Sequence, residues 1–280
     1  MKDISFSVFT KPWRELSLDV LGELVADMGF DAVEYPLRSG YQVQPSDGAA
    51  GIVSLSSTLG KFGVNVASVA AGIDVHMDEG GGKVVGIDEE LFAGCGEAGI
   101  PIIRICQSLQ RGIGFHENVA NIRRMYDALL PYCERYKVTL GVQMHFGHDI
   151  SNSAETYMLL NGYDPKYIAA VWDSGHSGLA GNIPSLALDI VWDMLCMINF
   201  KAAYWCRANG PEQEGKWEAY WTTARHGQGS WEQAVDYLIE RGYKGTICLP
   251  AEYSDEPNVE AYAREDLAHI KRLFTKGVKA

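Results

Sequence analysis

The chain has 280 residues, 47% of them hydrophobic, and a formal net charge of −12 with a pI near 5.0. That length and apolar content suffice for one large closed domain with a full core. The acidic balance, with no basic stripe to offset it, excludes nucleic acid and an anionic membrane surface as partners.

Met1 leads through Lys2 and Asp3 straight into a strand, and no apolar run reaches the length of a membrane span, so a cytoplasmic protein is expected. The six cysteines are scattered, with no Cys-x-x-Cys pair, and read as small buried hydrophobes rather than disulfides or zinc ligands.

Eight times along the chain a short β-branched or apolar run ends in a polar residue and gives way to an amphipathic helix. The runs are Ile4–Phe9, 32–34, 64–68, Ile102–Cys106, Thr139–Gln143, 168–172, 198–204 and 246–249. Strands alternating with helices predict a parallel sheet, and eight units in this length predict a single (β/α)8 TIM barrel spanning residues 1–280. Helix faces are legible at Leu18, Leu21, Val25 and Met28, at Ile122, Met125 and Leu129, and at Leu267, Ile270 and Phe274. Gly29 is a C-terminal stop, and Ser230 with Gln233 is a capping box.

Two stretches are longer than barrel loops require. Residues 72–88 carry Gly80-Gly81-Gly82 with Asp74, His76, Asp78 and Glu79, which reads as a solvated loop rather than a metal site. The triple glycine lacks the following Lys-Ser/Thr of a phosphate loop and so gives no argument for a phosphorylated substrate; no nucleotide cofactor is expected. Residues 206–229 are rich in Trp and Tyr; a lid over the mouth, a subunit contact and packing on the rim all stay open.

In such a barrel the working residues sit at the C-terminal ends of the strands. Strand two ends in Glu34. Strand five brings Gln143 and, two residues on, His145 to one side. Strand six ends in Asp173-Ser174-Gly175-His176, and strand seven carries Asn199 and Lys201 on one face. A lysine pointing into the mouth needs a carboxylate or an anionic ligand. Strand eight ends in Pro250-Ala251-Glu252, the strongest single candidate. Carboxylates beside imidazoles and an ammonium suit oxygen-rich metal binding or proton transfer next to a sugar carbonyl.

At these residues the chain resembles the xylose-isomerase-like superfamily of TIM barrels, the sugar isomerases, epimerases and related endonucleases. The carrying motifs are Gly29-Phe30-Asp31-Ala32-Val33-Glu34, Asp173-Ser174-Gly175-His176, Lys201 and His226-Gly227-Gln228-Gly229-Ser230-Trp231. The resemblance implies a divalent metal, Mn or Mg, held at the positions of Gln143, Asp173, Asn199 and Glu252. Two of those places hold amides where the family has a glutamate and a histidine, so a weakened or absent metal site follows. The resemblance further implies that His176 contacts substrate and that Arg207, with Trp205 beside it, lies near a substrate-binding position. Glu34 and Gln143 complete the substrate-binding candidates. A homo-oligomer, with a dimer favoured, is also implied, and the multi-metal endonuclease branch is set aside for want of ligands.

Gln143 cannot exchange a proton as a glutamate does. The leading expectation is therefore a sugar isomerase or epimerase with Glu252 as base, His145 or His176 as the second acid/base, Asp173 as ligand or orienter, and Lys201 stabilising enolate charge. A lyase or dehydratase on a sugar derivative and a non-catalytic carbohydrate-binding barrel are the alternatives.

Overall fold

A computed structural model describes residues 3–78 and 82–276. Eight strands close a parallel barrel: β1 (Ile4–Phe9), β2 (Ala32–Leu37), β3 (Asn65–Ala71), β4 (Ile102–Cys106), β5 (Thr139–Gln143), β6 (Ile168–Asp173), β7 (Leu195–Asn199) and β8 (Gly245–Leu249). The ring shuts where β8 pairs with β1, from Ile4 opposite Gly245 to Val8 opposite Leu249.

Around it lie α1 (Leu18–Met28), α2 (Gly48–Gly60), α3 (Glu89–Ala98), α4 (Phe115–Tyr136), α5 (Ser153–Leu160), α6 (Ser174–Leu179), α7 (Pro184–Val191), α8 (Trp231–Glu240) and α9 (Val259–Lys276). Their limits follow local chemistry. Ser17 Oγ accepts from Val20 N to start α1, and Gly29, at φ +86°, ends it. Ser230 Oγ accepts from Gln233 N at the start of α8.

Two apolar layers hold the barrel. The larger fills the space between strands and helices, and a smaller plug of Phe9, Ala70, Ile102, Val171, Met197 and Cys248 fills the interior. Because side chains alternate along a strand, the residues two steps beyond Ile102, Val171 and Met197 face the same interior. These are Arg104, Asp173 and Asn199, a polar layer above the plug that faces the mouth.

The third strand runs Asn65–Ala71 rather than 64–68, and three further differences bear on the mouth. β2 runs past Glu34 through Pro36 to Leu37; β1 pairs with it only as far as Glu34, so the missing N–H of Pro36 breaks no bond on that side. β7 ends at Asn199 rather than 204. Phe200 N still bonds Cys248 O at 2.8 Å, but the Lys201 main chain is captured by Ser174, whose Oγ accepts from Lys201 N at 2.8 Å and donates to Lys201 O at 2.6 Å. The chain then leaves the barrel, and Ala202–Arg207 pairs antiparallel with Trp217–Thr222. Third, β5 stops at Gln143, so His145 reaches the mouth from a loop and not by strand periodicity.

Within 72–88, His76–Met77 pairs with Val84–Val85, and Asp78 accepts from the amides of Gly82 and Lys83. Glu79, Gly80 and Gly81 lie outside the described residues. All six cysteines are free, and no helix among the described residues is long and apolar enough to cross a membrane.

Candidate active site

Two adjoining cavities open at the C-terminal ends of the strands and share Lys11, His145 and Glu252 as walls. The inner one, about 230 Å³, is lined also by Glu34, Arg38, Arg104, Gln143 and Asn199. The outer one, about 880 Å³, adds Lys201, Trp221 and Tyr253. Residues from strands two, five, seven and eight therefore meet in one place, as the strand-end rule anticipates.

Glu252 enters the mouth from a turn in which Ala251 takes φ +51°, a left-handed conformation that a side chain makes costly. Its carboxylate lies between two ammonium groups, Lys201 Nζ at 2.6 Å and Lys11 Nζ at 2.5 Å. Burial pushes the Glu252 pKa up, but Lys201 and Lys11 outweigh it and hold the carboxyl well below the usual carboxylate range. Lys201 also lies 3.8 Å over the Trp221 ring, a cation–π contact, and its carbonyl takes a second donor, Trp231 Nε1, at 3.2 Å. Backbone and side chain of Lys201 are thus both fixed.

Asp173 is fully buried. One oxygen caps α6 by accepting from Gly175 N and His176 N, and the other accepts from Gln143 Nε2 at 2.7 Å. Burial raises its pKa, opposed by Lys201 and these hydrogen bonds. His176 accepts at Nδ1 from Phe146 N, so its proton is assigned to Nε2, which is buried without a partner 3.9 Å from Asp173 Oδ2. His145 stacks on His176 with ring centroids 3.8 Å apart. Burial, then His176 and Lys201, lower the His145 pKa to about 3, and burial with Lys201 holds His176 well below its ordinary value. Both imidazoles are neutral at pH 7. Of the two, His145 faces the cavities and His176 stands behind it.

Glu34 is not a free carboxylate. Arg104 grips it with Nε at 2.8 Å and Nη2 at 3.1 Å, and Ser68 Oγ donates to it at 3.3 Å. This buried fork makes Glu34 a structural anchor of the inner wall rather than an exchanging group.

The four residues at the expected metal positions do converge, yet their donor atoms do not fit a divalent cation. Gln143 turns its amide hydrogens, not its oxygen, toward Asp173, and both Asp173 oxygens already accept hydrogen bonds. Both Glu252 oxygens are taken by ammonium groups. Asn199 Oδ1 is the one buried oxygen of the set without a partner, and a single neutral oxygen is far short of the six or more ligands hard cations take. Among the described residues no three His, Cys, Asp or Glu side chains are placed to hold a metal. As placed here, Gln143, Asp173, Asn199 and Glu252 form a hydrogen-bonded wall with a lysine-clamped carboxylate rather than an open set of ligands.

Arg207 is not brought to the cavity: its guanidinium donates to Asn209, Pro211 and Gln213 of its own loop. Trp205 packs edge-on against Phe146 at 4.8 Å and donates to Leu179 O, away from the cavity. The residue of that hairpin that does line the mouth is Trp221. The motif 226–231 is structural: Gln228 N donates to Ala203 O at 2.7 Å, its Oε1 accepts from Trp205 N, and a Cβ on Gly229 would sit 2.8 Å from Ser174 O. Sequence reasoning missed Lys11 and Arg104. Arg104 was findable as a cation inside the apolar strand Ile102–Cys106, by the argument applied to Lys201.

A closed parallel barrel whose ionisable groups gather at the carboxyl ends of its strands is the architecture of the (β/α)8 barrels. The chain belongs to the xylose isomerase-like TIM barrel family, whose description matches residues 23–273. It is similar to an inosose dehydratase of Lactiplantibacillus plantarum, 26% identical over 141 residues, which is 48% of this chain and 47% of that protein. The chain thus spans about half the length of the curated relatives it matches. Its fold is like that of an L-ribulose 3-epimerase, at TM-score 0.75 and 14% identity, covering 99% of this chain and 96% of the other. It is also like a 3-keto-D-glucoside 4-epimerase from E. coli, at TM-score 0.71 and 13% identity, covering 96% and 99%.

Proposed function

We propose that this protein is an isomerase or epimerase of a sugar or sugar derivative, moving a proton on the carbon beside a carbonyl. The observation that carries the reading is the Lys201–Glu252–Lys11 arrangement: a carboxylate and ammonium groups side by side in a cavity of sugar size. In the resting site Glu252 is a weak base. When a substrate carbonyl oxygen takes the Lys201 ammonium as its hydrogen-bond donor, Glu252 loses part of the charge that depresses its pKa and becomes more basic. It then accepts the proton from the adjacent carbon. The C–H electron pair forms the carbon–carbon double bond, and the carbonyl pair moves to oxygen, where Lys201 stabilises the enolate. If the hydroxyl proton on the deprotonated carbon passes to the enolate oxygen and Glu252 returns its proton to the former carbonyl carbon, an isomerisation is complete. If the carbonyl re-forms and the proton passes through His145 to the opposite face of the original carbon, an epimerisation is complete. Gln143 and His176 act by orienting Asp173 and His145.

A dehydratase is the second reading, favoured by Lys11. Its ammonium, on the other oxygen of Glu252, can protonate a departing hydroxide from the same enolate, and the curated relatives are inosose dehydratases.

Incubating aldoses, ketoses and inososes with the protein in D2O, followed by NMR and mass spectrometry, tests both. Deuterium beside the carbonyl with the carbon skeleton and oxygen count retained supports the first reading, and loss of water the second. Binding without exchange or elimination would leave a carbohydrate-binding barrel.

A further inference from the structure

Resting on that reading, we propose that the inner cavity selects an anionic sugar derivative, whose carboxylate or phosphate is held by Arg38 while its carbonyl end faces Lys201 and Glu252.

The charges of the walls carry the argument. The chain is strongly acidic at −12, yet the inner cavity is lined by Lys11, Arg38 and Arg104 against only Glu34 and Glu252. Arg104 and Glu34 satisfy each other through two short contacts, so that pair is balanced and closed. Glu252 is a single negative charge shared by the Lys11 and Lys201 ammonium groups. Arg38 pairs with no carboxylate among the described residues. Asp173, another acid of the strand-end layer, is buried, lines neither cavity and gives its oxygens to the Gln143 amide and to the start of α6. The inner cavity is left with one cationic charge that no protein carboxylate neutralises, at Arg38, and the adjoining outer cavity adds a second at Lys201, which shares Glu252 with Lys11. An acidic protein that concentrates uncompensated positive charge at this mouth has built an anion-selective entrance.

The geometry gives those charges different tasks. Arg38 and Arg104 both lie over the Phe9 ring, at 5.8 and 5.1 Å from its centroid. Arg38 and Phe9 line the inner cavity, whereas Trp221 and Tyr253 line the outer one. A guanidinium presents a planar fork that matches carboxylate and phosphate oxygens. The lysine pair, already bonded to Glu252, is positioned to meet the carbonyl.

Isothermal titration of the wild-type protein with D-glucuronate, D-glucose 6-phosphate and D-glucose tests this without requiring turnover. At least one acidic sugar should bind about tenfold or more tightly than D-glucose, the difference expected from a charge-assisted bidentate contact. The tighter of the two acidic sugars identifies carboxylate or phosphate. Arg38→Gln, at an exposed position, should bring the ratio close to one with the melting temperature of the free protein unchanged, and Arg38→Lys should retain most of it. Equal binding of D-glucose and both acidic sugars, or a ratio that survives Arg38→Gln, overturns the anion proposal and leaves the sugar reading standing. No binding of any of the three removes the sugar reading and this proposal with it.

Discussion

Lys11, just beyond the first strand, places its ammonium 2.5 Å from Glu252, just beyond the eighth, and so ties together the two strands at which the barrel closes. The carboxylate at the centre of the mouth is thereby held from two sides, since Lys201 takes its other oxygen. A group so clamped is fully charged, oriented and poised to change its basicity when either partner is drawn away.

Replacing Glu252 with Gln should remove proton transfer while preserving the fold. The amide keeps the shape but cannot accept the proton, and losses of about 10²–10⁴-fold are typical for a general base. Deuterium exchange into substrate read beside the melting temperature checks it; unchanged exchange would falsify the assignment. Gln143→Ala should act mainly on affinity, because its amide supports Asp173 and touches no reacting group.

Lys201→Met should convert the mouth into a better cation site. Loss of the ammonium frees one Glu252 oxygen and removes a positive charge from the place where the strand-end oxygens meet. Titration with Mn²⁺ followed by electron paramagnetic resonance should show weak or no specific binding in the wild type and tighter binding in the variant. Stoichiometric metal in wild-type protein purified without chelator would restore the ligand reading of Gln143, Asp173, Asn199 and Glu252.

Arg104→Met should destabilise the protein by about 3–5 kcal/mol, since it leaves the Glu34 charge buried without its partner. Pairing it with Glu34→Leu should recover most of that loss, because the double variant buries no charge. Urea denaturation of the three variants measures the coupling; additive losses would deny that the two side chains act as a unit.

Asp266 on α9 should give the folded protein a measurable acid response. It accepts from Ala224 N at 2.9 Å and Tyr253 Oη at 2.8 Å, tying the hairpin base and the loop after β8 to the last helix. Burial raises its pKa to about 6, against about 3.9 for an unfolded aspartate. The folded state therefore binds this proton more tightly. The contribution to stability is fully present below about pH 4 and is lost as pH rises through 6. Asp266→Asn, neutral at every pH, should lack this component, so the difference in melting temperature between variant and wild type should grow from pH 4 to pH 7. A difference independent of pH would show that Asp266 does not titrate in that window.

The barrel was legible because its determinants are local and repeated. A strand such as Thr139–Gln143 needs only its own apolar run, and α1 and α8 announce their limits at Ser17, Gly29 and Ser230. Strand-end polarity likewise pointed to Glu34, Gln143, Asp173, Asn199, Lys201 and Glu252. The limit was reached at β7, where a residue distant in sequence, Ser174, seizes the Lys201 main chain and ends the strand early. Lys11 sits in a short helical turn that carries no strand-end signal, and only closure of the ring sets it against Glu252.

Residue types, their order and their period-two alternation determined by themselves that this chain would form a parallel barrel with polar groups at one rim, because burial and backbone hydrogen bonding act through nearby residues. What each rim group is chemically was decided only by tertiary structure. A carboxylate is an anchor at Glu34 and a clamped acid at Glu252 according to which cations the fold sets within about 3 Å of it. That proximity is a Coulomb and hydrogen-bond relationship between residues as far apart in the chain as Lys11 and Glu252.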